Sequence, residues 1–301
     1  MADKTGIEWA DATWNPVTGC TEVSPGCDHC YAKTFAERWR GTPGHYFEHG
    51  FDVQLRPDKL GLPLRWRRPR RIFVNSMSDL FHDQVPDDYI AHVFAIMQSC
   101  AAHTFQVLTK RHARMRSLLS SADFWQAVTD FGEHVMRQRP SRAQLWPYHG
   151  QQHGFLPNVW LGVSAENQQW ADIRIPALLD TPATVRFISA EPLLGPLSIF
   201  ASSKIDRDPG LDWVIVGGES GHGARPMHPS WARALRDECV RAGVPFLFKQ
   251  WGGWAPVDDP FERYSRVTQV GDELMYAPRS KGLCVLDGRT WDQYPETADA
   301  P

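Results

Sequence analysis

The chain has little excess charge of either sign. Its formal net charge is −3 over 301 residues, so no global basic field marks it for nucleic acid. No apolar run approaches the length of a membrane span, and the opening Met1-Ala2-Asp3-Lys4 starts no apolar targeting segment. Together these predict no membrane partner and a cytoplasmic protein, where thiols stay reduced. No low-complexity linker divides the chain, which favours one decorated domain over two independent ones. The glycine-rich stretch from Gly217 to Arg225 lacks the Gly-Lys-Ser/Thr of a Walker A loop. Cysteine is scarce. Of six, Cys100, Cys239 and Cys284 stand alone and read as structural thiols.

The other three share one turn-rich loop, Gly19-Cys20-Thr-Glu-Val-Ser-Pro25-Gly26-Cys27-Asp28-His29-Cys30-Tyr31, with the spacing C-x6-C-x2-C. Three thiolates from one loop can hold three irons of a [4Fe–4S] cluster and leave the fourth open to a small molecule. Zinc is the competing reading, because C-x2-C is half of a zinc knuckle. Tetrahedral zinc needs further ligands at regular spacing, and His29, His45, His49 and His82 form no H-x3-5-H partner. A disulfide is the weaker alternative, since three cysteines cannot pair evenly.

The remaining composition is that of a globular enzyme, with 42% hydrophobic and 22% charged residues. Thirteen tryptophans, with 23 glycines and 23 prolines, predict many ordered loops around a compact core. Along the chain a short β-rich apolar run is repeatedly followed by polar residues and then a helical stretch. The expected strands are Ile7–Trp14, Arg71–Asn75, Thr104–Leu108, Asn158–Val163, Thr184–Ile188, Leu211–Val216 and Pro245–Phe248; helices are expected over Tyr31–Arg40 and Pro229–Ala242 and after Asp87 or Asp88. Strands alternating with helices imply a parallel sheet. The predicted fold is therefore α/β, a (β/α) partial or full TIM-type barrel over residues 1–255. An insertion interrupts it at about 121–157, and residues 256–301 form a C-terminal extension packed on the barrel.

Nearly every predicted strand delivers polar residues just past its C-terminal end, the face on which such barrels build active sites. These are Ser76, Ser78 and Asp79; Lys110 and Arg111; Ser164, Glu166 and Asn167; Glu191; Gly217, Gly218 and Glu219; and Lys249, Gln250 and Trp251.

A cluster loop after the first strand of such a barrel resembles the radical S-adenosylmethionine (SAM) superfamily. The motifs Trp14-Asn15-Pro16, Gly19-Cys20, Ser24-Pro25-Gly26-Cys27, Cys30-Tyr31-Ala32, Asn75-Ser76-Met77-Ser78-Asp79-Leu80-Phe81, Leu108-Thr109-Lys110-Arg111, Gly162-Val163-Ser164, Ser189-Ala190-Glu191-Pro192 and Gly217-Gly218-Glu219 together resemble one group. It is the phage-linked gp-thirty-seven/gp-sixty-eight-like family with a domain of unknown function, a radical-SAM-like three-cysteine family. The likeness covers roughly residues 5 to 255. It implies that Cys20, Cys27 and Cys30 ligate three irons of a [4Fe–4S] cluster and that SAM chelates the fourth. Reductive cleavage of the sulfonium would then yield methionine and a deoxyadenosyl radical, given an electron donor. Ser76, Ser78 and Asp79 would serve the methionine end, Lys110 or Arg111 the carboxylate, and Ser164, Glu166 and Asn167 the ribose. Glu191 would ligate a partner at the mouth, and Gly217, Gly218 and Glu219 would let backbone approach the adenine or substrate. The usual superfamily loop is C-x3-C-x2-C; here the longer first spacer must bulge through its Ser-Pro-Gly turn, and His29 stands where an aromatic residue commonly packs near the adenine.

The expected function is reductive SAM cleavage to modify a macromolecule, nucleic acid or peptide, with a partner protein compatible. The one strongly basic stretch, Arg65-Trp66-Arg67-Arg68-Pro69-Arg70-Arg71, would hold phosphates or form a solvated turn entering the second strand, away from the cluster. The alternative from another class is a non-enzymatic binding module for nucleic acid or protein, pinned by zinc or a closed cluster.

Overall fold

The computed structural model describes residues 5–138, 154–200, 210–221, 223–257, 266–277 and 284–296. Seven strands form one sheet: β1 (Ala12–Trp14), β2 (Arg71–Val74), β3 (Thr104–Thr109), β4 (Val159–Ser164), β5 (Val185–Ala190), β6 (Trp213–Gly217) and β7 (Phe246–Gln250). They pair in chain order, every pair parallel. Every residue of β4 and β6 is buried, as expected of parallel strands covered on both faces.

The main helices are α1 (Tyr31–Glu37), α2 (Asp87–Gln98), α3 (His112–Leu119), α4 (Ala122–Gln138), α5 (Gln168–Leu179) and α6 (Pro229–Ala242). In α2, Ile90, Val93, Phe94 and Met97 recur at helical spacing and are all buried. The predicted insertion begins with α4, whose Phe124 and Trp125 meet Phe94 edge-on at 5.4 and 5.8 Å; residues 139–153 of it lie outside the described residues.

The inner face of the sheet holds an aromatic cluster of Trp9, Phe73, Trp160, Phe187 and Trp213. It shows that the sheet curls. Strands lie about 4.8 Å apart, so β2 and β6 would be about 19 Å apart in a flat sheet. Yet Trp9 touches Phe73 of β2 at 4.5 Å and Trp213 of β6 at 6.1 Å between ring centroids. Gly162 in β4 makes room for this filling, because a Cβ there would lie 2.4 Å from the Phe187 ring. The result is a half-barrel, the partial form of the expectation: among the described residues β1 and β7 do not pair.

The C-terminal segment bridges that seam. Phe248 donates its backbone N–H to Trp291 O, and Trp213 donates its indole N–H to Gln293 O. Tyr294 packs on Trp213, while the Arg71 guanidinium lies 4.2 Å from its ring centroid. This covers the backbone edge of β7. Before it, Ala255–Pro256, Glu273–Tyr276 and Val267–Val270 make a small antiparallel sheet.

Several boundaries differ from expectation. The first strand starts at Ala12, because Ile7 to Ala10 turn (Ala10 N–H to Ile7 O, 3.2 Å) and drop Trp9 into the core. Helix α1 stops at Glu37. Strands β4 and β5 run one or two residues further than expected, so Ser164 and Ser189 are strand residues.

Candidate functional site

The cysteine loop leaves the C-terminal end of β1 and is fixed at its base by backbone contacts. Gly19 donates to Met77 O at 2.9 Å and Cys20 to Phe51 O at 3.1 Å. Gly19 has φ +84°, and a Cβ there would sit 2.1 Å from Asp52 O, so glycine is needed on both counts. Pro25–Cys27 form a 3-10 turn, and Cys30 immediately precedes α1. At its start, the Tyr31 hydroxyl donates to Ser76 O at 2.5 Å.

Three side chains from three strand ends clamp the loop. After β3, Arg111 donates to Thr21 Oγ1 at 2.7 Å and reaches Cys20 Sγ at 3.5 Å. After β4, Glu166 accepts from Ser24 Oγ at 2.6 Å. Its other oxygen pairs with Arg174 at 2.9 Å, both side chains fully buried, and Lys110 lies 3.6 Å away. After β6, Arg225 donates to Pro25 O at 2.7 Å and to Asp28 at 2.9 Å, while gripping buried Glu219 through two bonds of 2.9 and 2.6 Å.

Burial alone would raise the carboxyl pKa of Glu166; Lys110, Arg174 and the Ser24 bond outweigh it and hold the group below its ordinary value. Burial likewise opposes Glu219, and the Arg225 bonds again win. Cys20 goes the other way. Burial first, then Asp79 and Cys27, push its thiol up to about 12 against the pull of Arg111. A metal taking this sulfur would displace a proton.

All three cysteines line one cavity of about 450 Å³, with Asn75, Ser76, Ser78, Asp79, Lys110, Arg111 and Ser164. A wider cavity of about 700 Å³ adjoins it on the inner side of the half-barrel, sharing Cys30, Tyr31, Ser76, Lys110 and Ser164. Trp9, Phe73 and Leu108 contribute apolar walls. Its polar wall holds the Lys249–Glu191 ion pair at 2.8 Å and Gln250, which donates to Ser220 at 2.7 Å.

Many of the strand-end residues line these cavities, yet several are engaged in bracing. Ser78 donates to Val17 O at 2.7 Å. Buried Asp79 accepts from Phe81 N, Thr109 Oγ1 and Lys110 N at 3.0, 2.7 and 3.0 Å, closing two turns. Asn167 caps α5, accepting from Trp170 N. Glu166 and Glu219 hold the clamps. Gly217 clears space for Glu191, and Gly218 for the Trp251 carbonyl, with hypothetical Cβ distances of 2.5 and 2.0 Å. Ser76, Lys110, Ser164 and Glu191 line the cavities.

Two braces escaped the sequence reading. Arg225 ends the glycine-rich stretch that begins at Gly217, where no periodic pattern marks it as a brace. Arg174 carried a signal, being an arginine in the buried row Ala171, Arg174, Ile175, Leu178 of α5. The basic stretch 65–71 enters the N-terminal end of β2, opposite the strand ends that carry the site. Among the described residues, no three His, Cys, Asp or Glu side chains converge closely enough to hold a metal ion, and no helix is long and apolar enough to cross a membrane.

Over residues 4–295 the sequence matches the family described as a protein of unknown function (DUF5131), and the chain belongs to that family. No curated protein and no solved structure matches it.

Proposed function

We propose that this chain is a radical-SAM-like iron–sulfur enzyme, cleaving S-adenosylmethionine reductively to modify a macromolecular substrate. The observation that carries the reading is the arrangement of Cys20, Cys27 and Cys30 around one cavity at the strand ends, in a loop clamped by Arg111, Glu166 and Arg225. The donor set fits a [4Fe–4S] cluster: three thiols, no disulfide among them, and a cavity beside them for a further ligand. Bound there, the cluster would supply the electron that breaks a sulfonium carbon–sulfur bond.

The chain's own residues would do the rest. Cys20, Cys27 and Cys30 hold the cluster, and the Arg111 guanidinium beside Cys20 offsets part of its negative charge. Lys110, Ser76 and Ser164, on the wall between the cavities, bind the polar parts of the cosubstrate. Lys249, Glu191 and Gln250 face the wider cavity and receive the substrate group, while Trp9 and Phe73 limit water on the inner side.

The test is anaerobic purification, iron and sulfide reconstitution, and assay of dithionite-driven SAM cleavage. Deoxyadenosine and methionine should form with the unmutated protein and not with Cys20→Ala, Cys27→Ala or Cys30→Ala. An iron-free, zinc-loaded protein without cleavage would leave a metal-pinned binding module instead.

A further inference from the structure

Asn75 departs from its surroundings in three ways at once. It follows β2 with φ +60°, in the left-handed region that a non-glycine residue seldom occupies. It is only 3% exposed. Both the oxygen and the nitrogen of its carboxamide are buried without a hydrogen-bond partner. Other buried amides are better served: Gln106 still donates to Trp9 O, and Asn158 donates to three carbonyls.

The backbone of Asn75 is fully used, its N–H donating to Trp14 O at 2.8 Å and its C=O accepting from Ser78 N at 3.2 Å. The turn therefore holds without the side chain. A buried amide with neither atom bonded works against folding, and such groups are rare unless a function retains them. Asn75 lines the cavity that the three cysteines line. Its sequence neighbours cannot substitute for it fully, because Ser78 and Asp79 spend their side chains on Val17, Phe81, Thr109 and Lys110.

We propose that Asn75 is a ligand-binding residue of the three-cysteine cavity, its carboxamide completing its hydrogen bonds on a bound molecule. A carboxamide offers a donor and an acceptor side by side. Its complement is a ligand group with an acceptor and a donor on neighbouring positions. This deepens the reading above and rests on it for the identity of the ligand: an adenosyl amino acid carries such a group twice, at its amino-carboxylate end and at the adenine edge.

The test uses the full-length, iron–sulfur-reconstituted protein and Asn75→Gly. Glycine accepts the left-handed backbone and removes both orphan atoms. Asn75→Asp is the second variant; it keeps the shape and loses the donor. Equilibrium dialysis measures binding of SAM, methionine and adenosine, and calorimetry measures melting of the metal-free proteins. Asn75→Gly should melt no lower than the unmutated protein yet bind SAM about tenfold more weakly or worse, as expected for two lost hydrogen bonds. Asn75→Asp should also bind more weakly. A matching loss for methionine alone assigns the amino-acid end, and for adenosine alone the adenine edge. SAM binding unchanged in Asn75→Gly overturns the proposal while leaving the enzyme reading intact. If the unmutated protein binds no SAM, the enzyme reading fails. The melting data then decide: a raised melting temperature in Asn75→Gly supports a group held for some other ligand, and an unchanged or lowered one overturns the role.

Discussion

Glu166→Gln separates a bracing carboxylate from a ligand-binding one. Arg174 is fully buried, and its guanidinium leans on Glu166 at 2.9 Å, on Ser164 O at 2.9 Å and on the Trp170 ring at 4.2 Å. Its Nε and Nη2 have no partner, so Glu166 supplies nearly all the compensation for its charge. Glutamine keeps the shape and can still accept from Ser24, but it removes the negative charge and leaves Lys110 and Arg174 facing each other. Breaking a buried pair from one side costs about 3–5 kcal/mol. Taking ~3 kcal/mol and an unfolding entropy of ~2.1 cal/mol/K per residue, which is ~0.6 kcal/mol/K for a chain of this length, the melting temperature should fall by ~5 °C. Calorimetry of the metal-free protein is the assay. Glu166→Leu with Arg174→Met, which removes both charges, should recover most of the loss. Unchanged melting in Glu166→Gln, combined with weakened SAM binding, would refute the bracing role and return Glu166 to the ribose.

Arg225→Met removes four side-chain bonds, two to buried Glu219 and two to the cysteine loop. Amide hydrogen exchange over residues 20–30 should accelerate at least tenfold relative to the strands, and equal rates would sink the clamp. Stability should also fall in acid. Glu166 and Glu219 have folded pKa values below the ordinary 4.5, so their contribution is present above about pH 4.5 and is lost as pH falls through the lower folded values. Melting scanned from pH 7 to pH 3 should show that limb, and Glu219→Gln should flatten part of it; a parallel curve would remove Glu219 from the account. Lys249→Met should leave melting nearly unchanged, since its pairing with Glu191 is partly exposed (26% and 14%) and such pairs contribute about 1 kcal/mol or less. Substrate turnover, assayed against SAM cleavage without substrate, should fall; equal losses in both would deny Lys249 a substrate-side role.

The rhythm of strand and helix was legible because most strands are short apolar runs and a helix such as α2 repeats apolar residues at helical spacing, Ile90, Val93, Phe94 and Met97. The three cysteines were legible because spacing alone isolates them. Roles at the strand ends were less so, for a physical reason: the residue types that bind a cosubstrate also tie down turns. Asn167 precedes a helix and caps it, Asp79 closes two turns, and Glu166 answers an arginine eight residues away. Only distances separate the two uses. Strand ends were placed too early because β4 and β5 continue their ladders through Ser164 and Ser189, polar residues that read as loop. The seam across the half-barrel is closed by Tyr294, whose partners Trp213, Arg71 and the Glu8 carbonyl lie 81 or more residues away in sequence, beyond any local pattern.

The bracing also bears on the chemistry. A loop of this length, with a six-residue first spacer, has much conformational freedom to lose, and thiols that wander would hold a cluster poorly. The chain answers by committing the ends of three strands to the loop: Arg111 at Thr21, Glu166 at Ser24, and Arg225 at Pro25 and Asp28. These contacts fall in and around the long spacer, where the freedom is greatest. The consequence is a small remaining inventory for ligands. With Ser78, Asp79, Glu166, Asn167 and Glu219 committed to turns and clamps, polar recognition beside the thiols falls to Asn75, Lys110 and Ser164. In the wider cavity it falls to Glu191, Lys249 and Gln250, whose side-chain bonds among the described residues run only to one another or to Ser189 and Ser220. On the proposed function, a cosubstrate held by so few groups would draw its affinity from the metal centre beside it, and SAM retention in equilibrium dialysis should then depend on the cluster being loaded.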